Sequence, residues 1–187
     1  MIIETILWKG FFLPGYETCQ LSIQNSRWQL DGTVVFSFNH QPCQLGYRVV
    51  CNAGWQTIFG NIQGWLGNTP VNIQYAADDT HHWSLNGVDC TEVAGCIDLD
   101  LNFSPSTNLL PIRRLGLDVG KTAPVIAAWL RFPSFKLESL PQQYTRLDQN
   151  TYQYESGGAK FIANLKVNPT GFVTNHPDLW QVEASTA

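Results

Sequence analysis

The feature that most constrains this chain is an alternation of period two, cut at short intervals by turn residues. Val34, Phe36 and Phe38 alternate with Thr33 and Ser37, and Val71, Ile73 and Tyr75 with Asn72 and Gln74. Tyr152 and Tyr154 alternate with Thr151, Gln153 and Glu155, and Phe161, Ala163, Leu165 and Val167 with Lys160, Asn164 and Lys166. Successive side chains of a strand face opposite ways, so each run reads as a half-buried strand. Turn signals separate the runs at Pro14-Gly15, Asp31-Gly32, Asn52-Ala53-Gly54, Gly67-Asn68, Asn86-Gly87, Gly157-Gly158 and Asn168-Pro169-Thr170-Gly171. Turns spaced by roughly ten residues point to an all-β chain folded as an antiparallel sandwich, barrel or roll.

Helical signal is poor. The best candidate runs from Ser134 to Tyr144, and Pro141 limits it to a loop or one turn. Val125 to Phe132 is apolar on both faces and lies between Pro124 and Pro133, so it reads as a central, doubly covered strand. Val49 to Trp55 and Leu165 to Phe172 share the order strand, Asn/Gly turn, aromatic, which is consistent with two related halves or with hairpins converging on one pattern. At 187 residues the expectation is one domain over 1–187.

Charged residues make up only 14% of the chain, and 13 Asn and 13 Gln together equal their number. The eleven Lys and Arg are scattered and the net charge is −4, which argues against a nucleic-acid partner and against a polybasic membrane patch. No run reaches the roughly 18 apolar residues of a membrane-spanning helix. The N-terminus has no cationic region ahead of its apolar run, so the expectation is a cytoplasmic protein with its five cysteines reduced. His81 and His82 are adjacent and face opposite ways on a strand, so no metal site is expected. Neither G-x-S-x-G nor a phosphate-binding loop is present, and no cofactor is expected.

Val49 to Ala77 contains no charged residue and carries Trp55, Phe59, Trp65 and Tyr75 with Asn and Gln between them. It reads either as inner strands of a closed sheet or as the wall of a ligand cavity. Trp8, Trp55, Trp83 and Trp129 read as core residues before ligand platforms.

The chemistry-bearing run is Cys96 to Leu115. Ile97, Leu99, Leu101 and Phe103 point one way, and Cys96, Asp98, Asp100 and Asn102 the other. Same-face carboxylates about 7 Å apart repel and need a cation, water or an arginine. With Ile112 to Val119 read as extended, Arg113 lies on the leucine face, so it is expected to be buried and paired with Asp98, Asp100 or Glu17. A buried Glu17 would need Arg48 or Arg113. This cluster serves as a structural ion-pair clasp or as a head-group or catalytic site.

The run Cys96-Ile97-Asp98-Leu99-Asp100-Leu101-x-Phe103-x-Pro105-x-Thr107-Asn108-x-Leu110-Pro111-Ile112-Arg113-Arg114-Leu115 resembles the signature of the glycolipid-binding family of bacterial proteins with a spiral β-roll fold. Trp8, Gly10 and Glu17 resemble its N-terminal pattern, and Tyr47-Arg48-Val49 with Trp55 its strand pair. Trp83 with Asn86-Gly87 resembles its turn, and Gln143-Tyr144, Tyr152, Tyr154, Phe161 and Gly171 its C-terminal half. The chain departs from the pattern at Ser106, where an aromatic is expected. The resemblance implies a spiral β-roll or incomplete antiparallel barrel with little helix, and a lipid-like or glycolipid-like ligand. The candidate ligand-binding residues are Trp8, Glu17, Trp55, Asp98, Asp100, Thr107, Asn108, Arg113, Arg114 and Tyr144.

Three functions fit. The first is a non-catalytic binding protein for a hydrophobic or glycolipid-like molecule. The second is a hydrolase of a glycosidic or ester bond using Asp98, Asp100 or Glu17. The third is an interaction module, such as a homodimer, built on residues 49–77.

Overall fold

A computed structural model describes residues 1–186. The first strands are β1 (Ile2–Gly10), β2 (Gly15–Gln24), β3 (Arg27–Phe38), β4 (Gln41–Cys51), β5 (Thr57–Leu66), β6 (Thr69–Ala77), β7 (Trp83–Leu85) and β8 (Val88–Cys90). They are followed by β9 (Asp98–Leu101) and one short helix, α1 (Leu109–Leu115). The chain ends with β10 (Thr122–Arg131), β11 (Lys136–Asp148), β12 (Thr151–Ser156), β13 (Phe161–Val167), β14 (Val173–His176) and β15 (Trp180–Ser185). Among the described residues, all fifteen strands belong to one open sheet in the order β8 through β1, then β15 through β9. The chain thus forms two meanders that meet at the β1–β15 seam. The pairings are antiparallel apart from β9 with β10, which are parallel and joined through α1.

The predicted alternation accounts for most of these strands. In β3, Val34 and Phe36 are buried between exposed Thr33, Val35 and Ser37. In β6, Ile73 and Tyr75 are buried while Asn72 and Gln74 are exposed. The inward faces merge into a large core around Trp8, Leu45, Ile62, Trp83, Leu99 and Phe103. A smaller core lies around Tyr144, Tyr152, Tyr154, Leu165 and Val173.

Four local expectations are corrected. Asp31-Gly32 is no turn: both residues lie inside β3, paired with Arg48 and Tyr47 of β4. The glycine is there because the Tyr47 ring lies across it, and a Cβ at Gly32 would fall 2.2 Å from that ring. Ser134 to Tyr144 is not helical but falls mostly in β11, with Pro141 paired to Ile126. Val125 to Phe132 is not doubly covered, since Ile126 is 56% exposed on the outer face of β10. The helix instead occupies Leu109–Leu115, ahead of and within the stretch read as extended. Pro111 sits in its first turn, where no amide donor is required, and Gly116 ends it in a left-handed conformation at φ 52°.

The echo between the two halves is a shared turn. The Asn52 amide donates to the Gln56 carbonyl and the Asn168 amide to the Phe172 carbonyl; in each case the asparagine Oδ1 accepts from the amide four residues on. Asp78 and His82 repeat the arrangement, so local Asx chemistry accounts for the pattern.

β9 leans on the opposite half without joining it in a ladder. The Leu99 amide donates to Thr57 Oγ1 at 3.1 Å, and the Thr57 amide donates to the Ile97 carbonyl at 3.2 Å. The Leu101 amide donates to Thr107 Oγ1 at 3.0 Å. Hydroxyls therefore satisfy outer-edge donors that would otherwise be buried without partners.

Candidate functional site: an aromatic cavity beside β9

α1 decides which arginine meets the aspartates. Neighbouring residues of a helix diverge by about 100°, so Arg113 and Arg114 leave it in different directions. Arg114 Nε donates to Asp98 Oδ1 at 3.0 Å and its Nη2 to Oδ2 at 2.5 Å. Asp98 is 1% exposed. Burial raises its pKa, opposed by the Arg114 hydrogen bonds and charge. Arg113 is exposed, contrary to expectation, and its guanidinium lies 5.4 Å from the Trp55 ring centroid. The error lies in reading 112–119 as a strand, which inverts the two arginines.

Asp98 and Asp100 share a face of β9 as expected, yet they have separate partners. Asp100 accepts from Gln142 Nε2 at 2.6 Å. Burial pushes its carboxyl up to about 6, with the Gln142 hydrogen bond acting the other way. Asp100 borders a cavity of about 360 Å³ that Asp98 does not line. The cavity lies between β9 and strands β10 to β15, with Phe12 of the β1–β2 turn also on its lining. Trp129, Leu140, Tyr154, Phe161 and Trp180 form its apolar wall. Asp100, Asn102, Ser104 and Asn108 bring polar atoms to its β9 side.

Asn108 Nδ2 donates to Tyr144 Oη at 3.0 Å, and Tyr144 is fully buried behind it. Burial raises the Tyr144 pKa well above its ordinary value. His176 lines the cavity against Tyr154, Phe161 and Trp180, with ring centroids 6.2, 5.7 and 5.5 Å away. Burial lowers its pKa to about 4, so the imidazole is neutral at neutral pH.

Behind Ser104 lies a second buried polar group. Glu17 Oε1 accepts from Tyr47 Oη at 2.6 Å and from Ser104 Oγ at 2.5 Å. Ser106 Oγ joins both hydroxyls, at 2.8 Å from Tyr47 and 2.7 Å from Ser104. The expected arginine partner of Glu17 is not there. Arg48 pairs with Asp31 on the outer surface at 2.6 Å, Arg113 turns to Trp55, and neither reaches Glu17. Burial raises the Glu17 carboxyl to about 8, against the two hydroxyl hydrogen bonds. The charge problem is solved by retaining the proton rather than by a cation. Ser106, where an aromatic is expected from the sequence resemblance, belongs to this hydroxyl network.

The remaining candidates are placed apart from the cavity. Trp8 is fully buried, donates from Nε1 to the Val173 carbonyl at 2.6 Å and packs edge-on against Phe172. Trp55 adopts φ 67°, stacks on Trp28 at 4.3 Å and, with Arg113, borders a separate recess. Thr107 is occupied by the edge of β9. Of the ten residues named from sequence, Asp100 and Asn108 line the cavity. Asp98, Thr107, Arg114 and Tyr144 fix the segment that carries them. Sequence reasoning missed Ser104, His176 and Trp180 and assigned Trp129 to the core, because a cavity wall and a core face carry the same alternation.

The family model described as "Putative glycolipid-binding" matches residues 5–182. A crystallised DUF1089 family protein of Pseudomonas aeruginosa is 31% identical, with a TM-score of 0.76 over 88% of this chain and 91% of the other. A β-barrel-like protein of the domain of unknown function DUF1849 from Brucella abortus superposes with a TM-score of 0.61 at 7% identity, over 99% of this chain and 97% of the other, and shows the fold alone. No curated protein matches the chain. With nearly its whole length covered by one family model, this chain belongs to the "Putative glycolipid-binding" family.

Proposed function

We propose that this chain is a non-catalytic binding protein for a lipid-like molecule. The apolar part of the ligand occupies the aromatic cavity, and its polar head group meets Asp100, Asn108 and Ser104. The cavity carries this reading. Its volume of about 360 Å³ falls in the range of small-molecule sites, and its wall is mainly aromatic with a few polar groups gathered at one side. The family name supports the same ligand class. Asp98, Thr107, Arg114 and Tyr144 would support the site by holding β9 and the segment after it. Hydrolysis is less well supported, since Asp98 is committed to Arg114 and only Asp100 of the two aspartates borders the cavity.

Native mass spectrometry of protein purified without detergent tests the proposal. A lipid-mass adduct that disappears on organic extraction is the expected result. Ligand-free protein that also fails to take up added amphiphile contradicts it.

One observation favours the interaction-module reading. Phe59 and Trp65 of β5 are 39% and 43% exposed within the charge-poor stretch. A dimer that dissociates on Trp65→Ser, with amphiphile uptake absent, would support that reading in place of the first.

A further inference from the structure

We infer that the mouth of the cavity docks on an anionic lipid bilayer. This inference rests on the lipid-binding reading, because it concerns how such a ligand enters.

Three turns converge at the mouth: those joining β1 to β2, β12 to β13, and β14 to β15. Phe12, Lys160, Phe161 and Leu179 from these turns and their flanks line the cavity itself. Around them the surface is unusually apolar for a charge-poor chain with so many Asn and Gln. Phe11 is 46% exposed, Phe12 56% and Phe161 39%. Their backbones are anchored. The Phe11 amide donates to the Leu179 carbonyl at 2.9 Å, and the Gly157 amide donates to the Pro141 carbonyl at 3.1 Å. The rings are therefore presented by tied turns. Clustered exposed apolar side chains mark a surface that meets something apolar.

Charge selects the occupant. Lys9 Nζ lies 5.7 Å from the Phe11 ring centroid, and exposed Lys160 sits beside Phe161. Asp178 is the exposed anion of the β14–β15 turn. Each lysine near an anionic membrane surface strengthens binding only about fivefold, too little for binding by charge alone. Rings that enter the headgroup region supply the second contribution, as two-signal anchoring requires. Because the cavity opens between the rings, an apolar ligand can pass from bilayer to protein without crossing water. The surface thus acts through a few rings and lysines, and no polybasic patch is needed.

Co-sedimentation of the full chain with vesicles tests the inference. Phosphatidylcholine vesicles containing phosphatidylglycerol are compared with phosphatidylcholine alone, at low and high salt. The variants are Phe11→Ser/Phe12→Ser and Lys9→Glu/Lys160→Glu, both confined to exposed side chains. The expected result is association with the anionic vesicles that weakens with salt and falls about tenfold or more in each variant. Absence of vesicle association, or association unchanged in both variants, overturns the inference. So does self-association through this face that the ring variant abolishes while vesicles remain unbound. Quenching of tryptophan fluorescence by doxyl-stearate, measured on the same proteins, separates the two readings. Retained quenching without vesicle association removes the docking surface alone, whereas loss of both removes the lipid-binding reading as well.

Discussion

Arg114 closes on Asp98 with two hydrogen bonds, while its neighbour Arg113 turns away to the Trp55 ring. This one pairing ties α1 to β9 and so fixes the segment that borders the cavity.

The two arginines should differ sharply in what they contribute to stability. Arg114→Met leaves a buried carboxylate without its partner and is expected to cost about 3–5 kcal/mol. Arg113→Met removes an exposed ring contact and should cost about 1 kcal/mol or less. Urea denaturation of both variants measures the difference. The double variant Asp98→Asn/Arg114→Met should be milder than Arg114→Met, since no charge is then stranded. Equal costs for the two arginines would contradict the assignment.

Glu17 should give the protein a stability that falls as pH rises through neutrality. Its folded pKa, about 8, lies above its ordinary value of 4.5, so the folded state holds the proton more tightly than the unfolded chain. That contribution is complete below 4.5 and is lost as pH climbs through 8. Asp100, raised to about 6, acts in the same sense but below 6. His176, lowered to about 4, acts oppositely, and its contribution is lost as pH falls from about 6.5. Between about 6.5 and 8, Glu17 therefore governs the pH dependence, with a limiting slope of about 1.4 kcal/mol per pH unit. Urea midpoints across this window should decline for the native chain and stay nearly level for Glu17→Gln. Parallel pH profiles would refute a buried protonated Glu17.

Gly32 should resist even the smallest side chain. A methyl group there meets the Tyr47 ring at 2.2 Å, and Tyr47 carries one of the two hydrogen bonds to Glu17. Gly32→Ala is expected to cost about 1–3 kcal/mol by overpacking. Gly46→Ala, where the nearest atom is 3.7 Å away, should be tolerated. Thermal denaturation of the pair checks this, and similar melting temperatures would count against it.

Much of the fold is legible because half-buried strands write their burial into the sequence. The alternation in β3, β6, β12 and β13 needs no tertiary information. Other features do. Asp31-Gly32 has the composition of a turn, but its glycine answers to a tyrosine on the next strand. The seven residues of α1 are too few to establish a helical period, and Pro111 looks like a boundary. That short helix then reverses the roles of Arg113 and Arg114. At the site, the aspartates are visible as charges on an alternating strand. His176 and Trp180 are not, because their proximity to Asp100 arises from a curl that brings β14 and β15 across from β9.

Titration with doxyl-stearate shows whether the aromatic cavity accepts an amphiphile. Trp129 and Trp180 border the cavity, so a nitroxide held inside should quench them. Quenching should saturate and be much reduced in Leu140→Phe, whose larger side chain occupies the space without adding a tryptophan. Quenching that never saturates, or that is unchanged in a folded Leu140→Phe protein, would contradict binding in the cavity.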